Sequence, residues 1–364
     1  MLPAVPFERV SALLALAAAL AAWGCAQGVV PPAGPALGLR FAGPGRMLVV
    51  FERAGGRREL VLLEPGGSRR LELPPFREAR FVRSDLLLLL LESEKKEQSV
   101  PADTQLALHD LATGATRRFG PLAQHYDPEP SPDGRFVAVG ADRPQVGDSD
   151  LEIWSIEGDP DVVALRAESL EEPRWRDDGQ AIVVAQLLED PESDENAGGG
   201  FGMSALAWPR LQRLTAELRR SVQVDDGAEP GKLAPGGSLP LWWDWRGIFA
   251  RQSSGLVRCE PQRGGCVHVY TPEPTRRIVD GRPVGANEAW LLTVEATDAF
   301  DRRQPDAIVR IDVETGAVLS HWHTPPGVSI VDLDWRGPAY RPPARPYPEP
   351  EDEHQPAPWG TFGR

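Results

Sequence analysis

The sequence predicts an all-β chain, a closed β-propeller of six four-stranded antiparallel blades, and three observations predict it. Glycine and proline number 36 and 37 among 364 residues, a load that interrupts helices and suits short strands joined by turns. An apolar strand, a turn and a polar return strand recur six times along the chain. The copies lie about 50 residues apart, which is the length of a four-stranded blade.

The return segments begin at Glu59, Gln105, Asp150, Ser204, Gly265 and Asp306. Each follows an apolar strand that starts at Arg46, Asp85, Arg135, Ala181, Gly247 or Ala289. Ahead of most of these lies a third short element ending in a turn: Glu129–Gly134, Pro173–Gly179 and Leu241–Gly247. Leu86 to Leu91 form an unbroken apolar run, which fits a central strand covered on both faces, since alternation is expected only where one face meets water. The fourth unit is irregular. Glu189–Gly200 is acidic and reads as a solvated insertion. The segment from Ser204 is read as strand, although Leu211, Leu214 and Leu218 have helical spacing. Val328–Gly337 repeats the Asp-Trp-Arg-Gly of Asp244–Gly247 and reads as a late strand joining an early blade, a place for which the segment near Ala36 competes. The last residues, from Pro338, are rich in proline and acid and read as an extended tail.

The N-terminus has a different character. Arg9 precedes an apolar run from Val10 to Trp23, shorter than the roughly 20 residues of a membrane span and suited to an export signal. The run ends in Ala22-Trp23-Gly24-Cys25, which resembles the cleavage box of bacterial lipoproteins. That resemblance implies that residues 1–24 are a signal peptide, that Cys25 is lipidated and that the mature chain starts there. Plain secretion and an uncleaved anchor are the alternatives. Residues 25–35 are small and proline-rich and read as a tether. The two other cysteines, Cys259 and Cys266, flank a Gly-Gly turn between apolar segments, so a disulfide across one hairpin is expected.

His125–Gly140 together with Ser149–Asp159 is similar to the repeat of TolB-like and WD40-like periplasmic propellers. The match rests on Pro130 and the Ser131-Pro132-Asp133-Gly134 turn. Pro173, Trp175, Asp178 and Gly179 form a weaker copy. The hairpins Asp110–Arg118 and Asp312–Ser320 follow the same pattern, and the resemblance spans residues 36–337. It implies a bacterial envelope location, on the periplasmic or surface side, with Ala26 after the lipidated cysteine pointing to the outer membrane.

Chemistry is hard to find in the sequence. The net charge of −14 argues against nucleic acid, whose phosphates need Lys and Arg. No metalloprotease, nucleophile-elbow or phosphate-loop pattern occurs, and Ser253-Ser254 lacks the glycine a nucleophile elbow requires. His321 and His323 share one face of a strand, as a metal pair would, yet no third ligand is evident. Asp142, Asp148 and Asp150 are candidate calcium ligands, although loop carboxylates are usually just solvated. Trp242, Trp243, Trp245 and Trp335 suit either a sugar or peptide platform or wedges between blades, and their repeated setting favours wedges. The expectation is therefore no catalytic, cofactor or metal residue, and a scaffold for a protein or peptide partner held at the membrane by lipid on Cys25. On this reading a scaffold is favoured over an enzyme, and catalysis is left open. The alternatives are a propeller-based lyase or hydrolase acting on a small polar or sugar substrate, and a carbohydrate or cell-wall binding module.

Overall fold

Runs of leucine, valine and isoleucine between Gly, Pro and Asp turns extend rather than coil, and every regular element described is a strand. The computed structural model describes residues 45–52, 56–93, 103–143, 148–157, 163–166, 170–188, 200–207, 222–223, 238–260, 265–285, 287–296, 305–324 and 328–337. The leader, Cys25, the tether, most of the acidic insertion, the leucines at 211, 214 and 218, and the tail lie outside them.

The strands form six sheets. The first holds β1 (Arg46–Glu52), β2 (Arg58–Glu64) and β3 (Gly67–Leu71). The second holds β4 (Phe76–Arg83), β5 (Leu86–Glu92), β6 (Thr104–Asp110) and β7 (Thr116–Arg118). The third holds β8 (Gln124–Pro130), β9 (Phe136–Arg143), β10 (Asp148–Ser155) and β11 (Val163–Arg166). The fourth holds β12 (Leu170–Trp175), β13 (Ala181–Leu188) and β14 (Gly200–Ala207), and it is followed by the short β15 (Val222–Gln223). The fifth holds β16 (Leu239–Asp244), β17 (Gly247–Gln252), β18 (Gly255–Cys259) and β19 (Cys266–Tyr270). The sixth holds β20 (Arg276–Pro283), β21 (Glu288–Glu295), β22 (Ala307–Asp312) and β23 (Val318–His323). The last strand, β24 (Ser329–Arg336), returns to the first sheet and pairs antiparallel with β1, with Trp335 opposite Met47.

The expected closed ring of six regular four-stranded antiparallel blades is corrected by this strand order. Five sheets have four strands or more, and the fourth has only β12, β13 and β14 among the described residues. The reason lies in the irregular fourth unit. After β14 the chain departs, and β15 joins the neighbouring sheet by pairing parallel with β11, Leu165 opposite Val222. The third sheet thereby gains a fifth, parallel strand, and β14 is left as an open outer edge among the described residues.

Apolar contact between faces holds the sheets against one another. Alternate side chains of a strand point to opposite faces, and the β5 leucines use both. Leu87, Leu89 and Leu91 pack with Leu48, Val50, Leu60 and Leu62 of the first sheet. Leu88 and Leu90 pack the other way, with Val137 and Val139 of the third. All five are fully or almost fully buried. Trp242 and Trp243 are wedges of the same kind: Trp242 stacks on Phe249 with centroids 4.5 Å apart, and Trp243 packs against Ala181 and Val183 of the fourth sheet.

Short polar devices fix the turns. Ser131 Oγ accepts from the Phe136 N–H at 2.9 Å and donates to Asp133 Oδ1 at 2.6 Å. Asp312 Oδ1 accepts from the N–H groups of Glu314 and Thr315. The hairpin it opens closes on Gly316 at φ 71°, where an added Cβ would sit 2.2 Å from the Val269 carbonyl oxygen. Cys259 and Cys266 face each other in the β18–β19 register and are joined by a disulfide, S–S 2.06 Å.

Candidate functional site on the propeller axis

The first strand of each sheet circuit, β24, β4, β8, β12, β16 or β20, runs along the axis. Five of the six carry a pair of ionisable residues two positions apart, a spacing that turns both side chains to one face. The pairs are Glu78 and Arg80, Asp127 and Glu129, Glu172 and Arg174, Asp280 and Arg282, and Asp332 and Asp334. The first members form an acidic layer. The second members form a layer where guanidinium and carboxylate mix. On β16 the corresponding stretch is Pro240-Leu241-Trp242, and the Leu241 carbonyl takes the place of a charge by accepting from Arg174 Nε at 3.1 Å and Arg282 Nη1 at 3.4 Å.

Glu129 is the centre of the mixed layer. Its Oε2 lies 3.2 Å from Arg282, 3.9 Å from Arg80 and 3.9 Å from Arg174, so three blades direct a guanidinium at one oxygen. Arg80 also pairs with Asp332, and Arg282 Nε lies 3.0 Å from Asp334 Oδ1. Bulges shape the acidic layer. Asp127 and Glu172 have φ of 49° and 47°, each at an irregularity in its strand's pairing. That backbone turns the N–H of each toward the preceding blade. The Asp127 N–H donates to Glu78 Oε1 at 3.2 Å, and the Glu172 N–H donates to Asp127 Oδ2 at 3.4 Å. At the junction of β4 with β24 the Phe81 N–H donates to Asp334 Oδ2 at 2.6 Å. Glu172 itself pairs with Arg251 of β17.

Charge in this cluster is unbalanced. Seven carboxyls meet four guanidiniums. Burial and the neighbouring Asp127 push the Glu78 carboxyl up to about 7, against the pull of Arg80. Burial also raises Glu172 despite Arg251 and Arg174. Asp280 and Asp332 lie carboxyl beside carboxyl. Burial presses on both, but Arg282 and Arg80 hold Asp280 well below the usual range, while Asp332 is pushed up. Perturbed acids of this kind cluster at functional sites, and also in structural ion-pair networks. Exposure does not separate the two layers: in the acidic layer Glu78 and Glu172 keep 13% and 14% and Asp332 9%, and in the mixed layer Glu129 keeps 18%, Arg80 5% and Arg282 6%.

The residues singled out from sequence lie elsewhere. His321 and His323 meet edge to face at 5.3 Å in a cleft of about 110 Å³ with Tyr270, Glu273 and Arg276. Among the described residues no three His, Cys, Asp or Glu side chains are grouped to hold a metal ion. Asp142 is on β9, and Asp148 and Asp150 are on β10, so they belong to paired strands and not to a calcium loop. Ser253 and Ser254 form the tight turn between β17 and β18. The axial residues escaped the sequence reading, although a signal was present: a charged pair at alternate positions, at a similar distance ahead of the turn, in five strands.

No family model matches the sequence, and neither does any curated protein. Among solved structures, TolB from Acinetobacter baumannii aligns with a TM-score of 0.52 at 13% identity, over 80% of this chain and 66% of that one. A nidogen/laminin complex aligns with a TM-score of 0.49 at 12% identity, over 81% and 100%. A puromycin-hydrolyzing peptidase from Mycobacterium tuberculosis gives 0.44 at 15% identity, over 74% and 52%. Other similar structures are named as peptidases and a lyase. The expectation that leaned against an enzyme is corrected, since structures named as peptidases and as a lyase stand among those similar to this chain. What the likeness to TolB carries is the fold: this chain is a β-propeller distantly similar to TolB.

Proposed function

We propose that this chain is a propeller of the bacterial envelope that works on a small polar ligand at the acid-lined end of its axis. The observation that carries the reading is Glu78, a largely buried carboxyl on the axis pushed up to about 7 by burial and by Asp127. A group that exchanges its proton near neutral pH suits general acid–base chemistry. The Asp280–Asp332 pair holds a second proton, and the arginines beside it can orient an oxygen of the ligand. Turnover of a small polar or sugar substrate, as by a lyase or hydrolase, is the use this favours. Holding a protein or peptide partner is the second reading. It is supported by topology, because the connections between second and third strands of each sheet leave from the end where the axial strands begin, which is the acidic end.

A melting-temperature panel of amines, short peptides and neutral and acidic sugars, run on the wild type and on Glu78→Gln, tests the site. A ligand at one hundred times its Kd stabilises by about 2.7 kcal/mol. The expected outcome is at least one class that raises the wild-type melt and affects the variant less. A panel in which no class discriminates the two proteins ends the reading.

The envelope location is part of the same proposal. Residues 1–24 act as the signal, Cys25 carries the lipid, residues 25–35 tether the propeller of residues 36–337, and residues 338–364 trail from it. Intact-mass measurement on protein from bacterial membranes is expected to give a chain starting at Cys25 with diacylglycerol attached. A chain starting elsewhere with unmodified Cys25 refutes the anchor.

A further inference from the structure

Resting on the axial site proposed above, we infer that the group this site receives is an organic cation, an ammonium or guanidinium, taken up as a proton leaves. Each guanidinium present already has a carboxylate or carbonyl partner, although the buried Nε–H groups of Arg80 and Arg282 find no well-aligned acceptor. Arg80 pairs with Asp332, Arg282 with Asp334 and Glu129, and Arg251 with Glu172, while Arg174 donates to two backbone carbonyls. Two acids of the cluster are left without an ion pair among the described residues, Asp127, which accepts a backbone N–H, and Asp280; Glu78 has only the long 3.8 Å approach of Arg80.

Asp280 supplies an independent observation. It is 6% exposed, and its Oδ1 accepts from the Gly281 N–H at 2.8 Å. Its Oδ2 accepts from no N–H or hydroxyl, and the group beside it is the Asp332 carboxyl. A buried oxygen in that setting needs a donor, because leaving it without one costs as much as stripping its hydration. In the free protein a proton between the two carboxyls meets the need. An ammonium brings three N–H donors and a positive charge and meets it better, since it also offsets the surplus of carboxylates. An anion would be repelled, and a neutral sugar would leave the charge as it is. No covalent bond changes in the exchange: the proton passes to solvent, and the ligand's N–H groups take its place against Asp280 and Asp332.

Calorimetric titration of the whole chain at pH 7 tests this with three probes: trialanine amide, its N-acetylated form and galacturonate. Each titration is run in phosphate and in Tris, whose ionisation heats differ. The free amine is expected to bind at least tenfold tighter than the acetylated peptide and than galacturonate, with a buffer-dependent heat that reports proton release. Asp280→Asn is expected to lose at least tenfold in affinity for the free amine, and Asp332→Asn to lose the buffer dependence. If Asp280→Asn does not fold, Glu78→Gln is expected to show the same loss. Equal binding of the free and acetylated peptides, or tightest binding of galacturonate, overturns the cation and leaves the axial site standing. Absence of binding by all three also overturns the cation, and the axial site falls with it only if the wider melting panel fails too.

Discussion

Glu78 makes the axis sensitive to pH in a direction that can be worked out. Its ordinary value is 4.5, and in the fold it is pushed up to about 7 by burial and Asp127, with Arg80 and Arg77 opposing; Asp332 on the adjacent strand feels the Glu78 charge in turn. A group whose value is higher folded than unfolded contributes stability that is fully present below about 4.5 and lost as pH rises through about 7. Asp177, raised to about 7 by burial and Asp244, acts with the same sign. Asp280, held low by Arg282 and Arg80, acts oppositely, and its contribution is lost only in strong acid. The melting temperature is therefore expected to fall between pH 5 and pH 8. Glu78→Gln, which cannot ionise, should flatten that fall by on the order of 2 kcal/mol. An unchanged slope in the variant would mean that Glu78 does not titrate in this window.

Individual elements owe their stability to packing between sheets more than to their own pairing. Leu88 of β5 is fully buried against the third sheet. Leu88→Ala should cost about 2–5 kcal/mol, because it removes the side chain and leaves a cavity between two rigid faces. A loss below about 1 kcal/mol in urea unfolding would mean that the sheets close over the gap. The β18–β19 hairpin has a covalent clip whose cysteines are seven positions apart. So short a loop restricts the unfolded chain little, so the double change Cys259→Ala/Cys266→Ala should cost only about 2 kcal/mol. That is a shift of roughly 2–4 °C in Tm for a domain of this size, readable by calorimetry. A collapse of the cooperative melt would instead mean that the bond organises the contact of Cys259 and Cys266 with Ile248 and Val183.

The whole molecule depends on its last strand. β24 pairs along the length of β1 and brings Asp332 and Asp334 to Arg80, Arg282 and the Phe81 N–H. Truncation before Val328 would strip the inner, axial partner from β1 and leave two axial guanidiniums without their carboxylates, and removing one side of a buried pair is costly. The truncated chain is expected to lose its cooperative melt and its resistance to protease. A chain that still melts cooperatively at a similar temperature would show that the first sheet stands on β1, β2 and β3 alone.

Local chemistry was legible in the sequence because it depends on near neighbours. The strand-and-return units from Glu59, Gln105, Asp150 and Asp306, the two-faced burial of Leu86 to Leu91, the Ser131-Pro132-Asp133-Gly134 turn and the Cys259–Cys266 hairpin are all set by residues a few positions apart. The segment from Gly265 proves instead to run from β19 of one sheet into β20 of the next. The echo of Asp-Trp-Arg-Gly at Asp334–Gly337 likewise marked β24 as a strand of the axial kind. The fourth sheet was not legible: whether β15 completes its own sheet or pairs with β11 is a competition between two edges, and no local propensity decides it. The axial cluster was hidden for the same reason. The Phe81 N–H and Asp334 are 253 positions apart and Arg282 and Glu129 are 153 apart, so each charged pair reads in isolation as an ordinary polar position on a strand. Only when the sheets stand around one axis do seven carboxyls and four guanidiniums share a space that water barely reaches, and burial there holds a proton on Glu78 that the same residue in an open strand would have lost.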